Sequence, residues 1–231
     1  MWFILVCASL LLASLARSQQ CPPAIQVDSK PQVFIMSDIS NEPDDTMSFI
    51  RLLLHSDQYN ITGMAAVTSY WLNSSTYSDQ ILNTTHAFGL VADNLNLHSA
   101  GHFPTSEYLS SVVKSGQSVF GTAAIGMLPM SSGAQRIIAV VDGMPEGELL
   151  HCQAWGGINT LAEVLAHIRA SRTQYDQDKF YDKLRIYAIS DQDNAGMWIR
   201  LNFPQIPYIA SVHPWNQYGL STWSGISGDT V

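Results

Sequence analysis

Four carboxylates crowd into eight residues near the start of the chain: Asp38, Glu42, Asp44 and Asp45, in the run Asp38-Ile-Ser-Asn-Glu-Pro-Asp-Asp45. Held in one loop, such groups repel, and each keeps its proton more tightly unless a positive charge stands among them. A hard divalent cation supplies that charge, and Ca²⁺ gathers its ligands from carboxylates, carbonyls and water. Helix capping is the competing use, since acidic residues favour the first turn of a helix. Capping accounts for one or two acids and poorly for four. Beside a bound cation, Asp38 or Glu42 has the chemistry of a general base.

Two further stretches carry polar or glycine-rich chemistry. Trp155-Gly-Gly157 lets the backbone pass close to a ligand, and serves equally as an ordinary strand-to-helix turn. Ser190-Asp-Gln-Asp-Asn194 offers Asp191 and Asp193 either to sugar hydroxyls or to the N-terminus of a following helix. Tyr70, Trp71, Trp155, Trp198, Trp215 and Trp223 supply rings that stack on sugars or bases, or pack the core. The seven histidines show no zinc spacing, and His98 and His102 flank a glycine in loop-like sequence. No Gly-x-Ser-x-Gly elbow, phosphate-binding Walker loop or dinucleotide fingerprint occurs.

The acidic loop needs a strand before it and a helix after it. Gln32–Met36 is a short branched and aromatic run, hence a buried strand, and Met47–Leu54 has helical spacing. The alternation continues with a strand at Ile61–Val67 and a helix at Ile81–Ala92. Residues 94–133, rich in Ser, Gly, His and Pro, read as short helices within long loops. Beyond them lie a helix at Ala134–Val141, a strand at Glu148–Ala154 and a helix at Leu161–Ala170. Leu184–Ile189 is a strand, Met197–Asn202 a helix and Tyr208–Val212 a last strand. Strands separated by helices give an α/β fold, a mostly parallel open sheet with helices on both faces.

The 231 residues carry 19 acidic against 11 basic side chains, a net charge of −8. That balance argues against a nucleic-acid partner or an anionic membrane surface. Residues 1–18 read as a secretory signal peptide, so the expected location is extracellular, with no membrane association after cleavage. Sequons at Asn60, Asn73 and Asn83 accord with a secreted glycoprotein. Signal removal leaves Cys21 and Cys152, either disulfide-bonded to each other or both unpaired.

The acidic run, with Ser48, Arg51-Leu-Leu-Leu54 and Thr68-Ser-Tyr-Trp71, resembles the nucleoside hydrolase-like domain of cellulose-binding-protein-type secreted proteins. Trp155-Gly-Gly-Ile-Asn-Thr-Leu-Ala162 and Ile189-Ser-Asp-Gln-Asp-Asn-Ala-Gly-Met-Trp-Ile-Arg200 extend the likeness, which covers residues 31–231. The wider nucleoside hydrolase superfamily holds one Ca²⁺ on an Asp-Thr-Asp-Pro-Gly-x-Asp-Asp loop. The resemblance therefore implies a metal site of Asp38, Asp44, Asp45 and the Trp155 carbonyl. It implies catalysis by Asp38 or Glu42; the candidate ligand contacts are Asn41, Trp71, Asn159, Asp191 and Asp193. The superfamily's middle aspartate falls on Ser40, and Asn159-Thr160 inverts the usual Thr-Asn order. An active protein of this kind is a hydrolase that cleaves an N-glycosidic or related glycosidic bond with a calcium-bound water. The alternative is a non-catalytic protein that binds cellulose or another carbohydrate. The chain stops in loop-like sequence, Ser227–Val231, and the resemblance implies a domain that continues further, so the domain reads as partial at its C-terminus.

Overall fold

Short, β-branched and aromatic runs fold as strands, and the longer amphipathic stretches between them fold as helices. The strands are β1 (Gln32–Ser37), β2 (Asn60–Ala66), β3 (Val113–Ser115), β4 (Leu150–Ala154), β5 (Leu184–Ile189) and β6 (Tyr208–Ser211). The helices are α1 (Pro43–Leu54), α2 (Ser78–Gly89), α3 (Ala92–Asn96), α4 (Ser106–Ser111), α5 (Ser132–Gly143), α6 (Asn159–Ser171), α7 (Gln174–Asp182) and α8 (Ala195–Asn202). The structure is a computed structural model that describes residues 30–99 and 102–212. The expected signal peptide, Cys21, Trp215, Trp223 and the chain end lie outside those residues.

The strands make one sheet in the order β3-β2-β1-β4-β5-β6, and every neighbouring pair is parallel. From β1 the chain steps outward to β2 and β3, then returns to the other side of β1 to lay down β4. The order therefore reverses between β1 and β4. At such a switch point the loops leaving the carboxyl ends diverge, and a crevice opens between them. The acidic run follows β1 and Trp155-Gly-Gly157 follows β4. Topology alone brings these two segments together.

β1 is buried on both faces, which is why it reads as a continuous apolar run. Val33 and Ile35 pack with Phe49 and Leu53 of α1 and with Ile81 and Phe88 of α2. Phe34 and Met36 face the opposite core, built from Ile137 and Val141 of α5, Leu161 and Leu165 of α6 and Ile199 of α8. In β4 and β5 burial alternates. Leu150, Cys152, Ile186 and Ala188 join the second core, while His151, Gln153, Arg185 and Tyr187 on the other face are half-buried. Among the described residues Cys152 is a free thiol, and burial pushes its pKa up to about 12.

Two elements escape the sequence reading. β3 has three residues, too few to show a period. Helix α7 is polar along most of its length and buries only Phe180 and Tyr181; Thr173 caps it by accepting the Asp176 N–H at 3.3 Å. Helix α1 begins at Pro43 rather than Met47, so Asp44 and Asp45 sit in its first turn. Among the described residues no helix is long and apolar enough to cross a membrane.

Candidate metal and sugar site

Asp38 is the first residue beyond β1 and Asp45 the third of α1; they are 6% and 8% exposed. Between them the chain turns sharply. The Asn41 N–H donates to the Asp38 carbonyl at 3.3 Å, and Ser40 takes a left-handed φ of 82°. That turn folds the first turn of α1 back over Asp38, and the two carboxylates come within hydrogen-bonding reach of each other. Burial holds the Asp45 carboxyl well above the ordinary aspartate range, and the neighbouring Asp38 and Asp44 push it the same way. Asp44 is raised by burial and by Asp38, and Glu42 by burial, Asp44 and Asp38. The counterweights are dipoles: the Ser37 hydroxyl at Asp45, and the Asp44 and Asp45 amides at Asp44. Among the described residues the ion pairs are Arg172–Asp142 and Arg200–Asp191, so no basic side chain neutralises this group.

The turn after β4 closes against the pair. Trp155 donates its N–H to the Met36 carbonyl at 2.8 Å and packs its ring on Phe49 at 4.9 Å. A Cβ on Gly156 would lie 2.7 Å from Asp38 Oδ1, so this position admits glycine alone while Asp38 stays in place. Gly157 donates to the Thr68 carbonyl at 2.9 Å and lies against the Asp193 carboxylate. The Trp155 carbonyl accepts the Gln192 side-chain amide and keeps a second lone pair.

The other expected ligand contacts are placed differently. Asn159 is fully buried. Its amide donates to Thr68 Oγ1 at 3.0 Å and to the Gln117 and Val119 carbonyls at 3.2 and 2.9 Å. Asp193 Oδ2 accepts the Ile158 and Asn159 N–H groups at 2.9 and 3.0 Å, and Oδ1 accepts that of Ala195 at 2.9 Å. One carboxylate thus caps both α6 and α8, and burial pushes it up to about 6 against the pull of those amides. Asp191 takes Arg200 bidentately at 2.9 and 2.6 Å and the Tyr208 hydroxyl at 3.0 Å. Asn41 is half-buried, and its side chain makes no hydrogen bond among the described residues. Trp71 is 47% exposed on the turn after β2. Sequence reading passed over Glu163. It is 3% exposed and accepts Gln117 Nε2 at 3.0 Å, the Ser131 N–H at 2.9 Å and the Ser131 hydroxyl at 2.6 Å. Its only sequence signal was a charge set among the apolar positions of α6.

Over residues 32–231 the chain matches the family described as cellulose-binding Sde182, nucleoside hydrolase-like domain. It belongs to that family. Among solved structures it is similar to a nucleoside hydrolase-related hypothetical protein from Saccharophagus degradans, described as associated with carbohydrate metabolism. The TM-score is 0.73 and the identity 36%, over 79% of this chain and 44% of that one. The chain thus spans less than half the length of that relative. No curated protein matches.

The nucleoside hydrolase-like fold raises the question of calcium. Among the described residues no three His, Cys, Asp or Glu side chains converge as a group able to hold a metal. What converges is the Asp38–Asp45 pair. Hard oxygen donors, buried, like-charged and without a basic partner, fit one side of a calcium site. The Ser40 hydroxyl stands where the superfamily carries a further carboxylate.

Proposed function

We propose that this nucleoside hydrolase-like domain hydrolyses an N-glycosidic or related glycosidic bond of an extracellular sugar ligand in the crevice between the β1 and β4 loops. One observation carries the reading: Asp38 and Asp45 are buried beside each other, and among the described residues no basic side chain pairs with them. Such a pair is costly for the folded chain unless a cation or a shared proton relieves it. A bound Ca²⁺ supplies the missing charge, positions for sugar hydroxyls and acidification of water. Asp38 and Asp45 would hold it, with Asp44 beside them and the free lone pair of the Trp155 carbonyl. Asp38 is the first choice as proton acceptor from the attacking water, and Glu42, half-buried and itself raised, the second. Gly156 leaves the room that Asp38 occupies, and cleavage carries the sugar toward an oxocarbenium-like state.

The test is calcium titration of the wild type and of Asp45→Ala by calorimetry and thermal melting, beside a panel of nucleosides and aryl glycosides. The wild type is expected to bind calcium and turn over at least one substrate, and Asp45→Ala to lose both. Unchanged calcium affinity in the variant removes the metal assignment.

A second reading is non-catalytic carbohydrate binding. It is favoured by Ser40 in the superfamily's base position and by the internal commitment of Asn159, Asp191 and Asp193. Calcium-dependent retention on cellulose, without turnover of any panel member, selects it.

A further inference from the structure

The turn after β2 holds a second feature that the acidic pair does not use. Tyr70 and Trp71 are 59% and 47% exposed, and their rings meet edge to face, with centroids 5.0 Å apart and planes at 87°. Exposed aromatics are often mobile surface residues, but the backbone beneath these is fixed. Ser69 is fully buried; its hydroxyl accepts the Trp71 and Leu72 N–H groups, each at 3.1 Å, and its own N–H donates to the Leu72 carbonyl at 2.9 Å. Thr68, also fully buried, donates its hydroxyl to the Val119 carbonyl at 2.9 Å. Two large, partly exposed rings therefore sit on a clamped turn.

The clamp leads straight to the crevice. The Thr68 carbonyl holds Gly157, and the adjoining Gly156 abuts Asp38. The turn that carries the rings is thus hydrogen-bonded to the turn that packs on Asp38. Given the carbohydrate-ligand reading on which this rests, the geometry points to Tyr70 and Trp71 as a stacking platform for a single, free β-linked glucan chain rather than for the flat face of crystalline cellulose. Aromatic faces pack on the C–H faces of pyranose rings. A crystal face is planar, so it meets only aromatic rings that are coplanar, and perpendicular rings cannot both lie on it. A free chain twists and bends between its sugars, so two sugars along it can each meet one of two rings held at a right angle. A nucleobase, by contrast, occupies one ring face and gains nothing from the second.

The experiment uses the full chain from a host that does not N-glycosylate, so that Asn73, exposed two residues beyond Trp71, stays bare. Affinity for cellohexaose is measured by calorimetry, with retention on amorphous and on microcrystalline cellulose, uridine binding and the calcium-induced melting shift as parallel readouts. The wild type is expected to bind cellohexaose and amorphous cellulose in preference to microcrystalline cellulose. Tyr70→Ala and Trp71→Ala should each weaken cellohexaose binding about tenfold, and the double variant should abolish it. The calcium shift should be unchanged in all three. Variants that bind as the wild type does, a wild type that binds no soluble glucan or prefers the crystalline form, or losses confined to uridine would each overturn the platform. Because the calcium shift is read separately, failure of the platform leaves the metal assignment standing, and the reverse also holds.

Discussion

The loops after β1 and β5 start from the same materials and end in opposite electrostatic states. Both leave the carboxyl edge of the sheet, both bend through a serine in the left-handed region (Ser40 at φ 82°, Ser190 at φ 61°), and both run aspartates into a helix. After β5 every acid is answered: Asp191 by Arg200 and Tyr208, Asp193 by three backbone amides. After β1, no basic side chain among the described residues answers Asp38 or Asp45, and Asp45 has only the Ser37 hydroxyl as a counterweight. Acidic spacing is therefore a poor guide to function in itself; what separates a helix cap from a candidate ion site is whether the surrounding fold supplies the opposite charge. The sharpest way to break the contrast is to remove one acid from each loop. Calcium at about a hundred times its dissociation constant should stabilise the wild type by about 2.7 kcal/mol. Asp45→Ala should lose all of that gain, and Asp191→Asn should keep it. An equal calcium response in both variants would erase the distinction.

Acidity tests the same contrast from the other side. A carboxyl raised in the folded chain binds a proton at pH values where the unfolded chain has already released it. Such a group makes stability fall as pH rises through the interval between the two values. For Asp193 the interval runs from an ordinary aspartate value of about 3.9 to about 6, and the loss is on the order of 3 kcal/mol. Asp45, also raised, acts in the same direction. In chelator, the melting temperature should decline as pH rises from about 4.5 to about 6.5. Asp193→Asn should flatten the slope that belongs to Asp193 while lowering stability at every pH, because an amide nitrogen cannot accept the helix N–H groups that Oδ1 and Oδ2 now take. A slope unchanged by this substitution would place the titration elsewhere.

The architecture was legible where one physical rule dominated. β1 carries an uninterrupted apolar run, α6 is amphipathic, and alternation of strand and helix forces parallel pairing; the strand order that sets the switch point beside Asp38 came from the structure. The family was legible for the same reason, since its motifs sit on those rigid edges. The roles of the edge residues were not. Asp193 takes its partners from Ile158 and Asn159, some thirty-five residues earlier, and Asn159 binds Thr68 across ninety-one positions. No local spacing encodes contacts of that range. Asn159, expected to face the ligand, is instead the buried tie between the β2 turn, the loop after β3 and α6. Asn159→Ala should cost about 2 kcal/mol in chemical denaturation, because it leaves the Thr68 hydroxyl and two carbonyls short of a donor. A loss of ligand affinity with full stability would return it to the ligand-facing role.

The smallest effect belongs to the pair that looks strongest on paper. Asp191 and Arg200 form a bidentate ion pair, and Arg200 also lies over the Tyr208 ring at 4.9 Å. Both charged side chains are partly exposed, 26% for Asp191 and 38% for Arg200, so water already screens their attraction. When Asp191 is neutralised, the guanidinium can turn to solvent instead of being stranded. The Tyr208 hydroxyl loses its strongest acceptor but keeps a neutral one in Asp191→Asn. The expected cost is therefore about 1 kcal/mol or less, with calcium response and glucan affinity unchanged. Denaturation at low and high salt checks the argument: the difference between wild type and variant should shrink as salt rises. A large, salt-independent loss would mean that this acid is as uncompensated as Asp45, and the two loops would no longer be opposites.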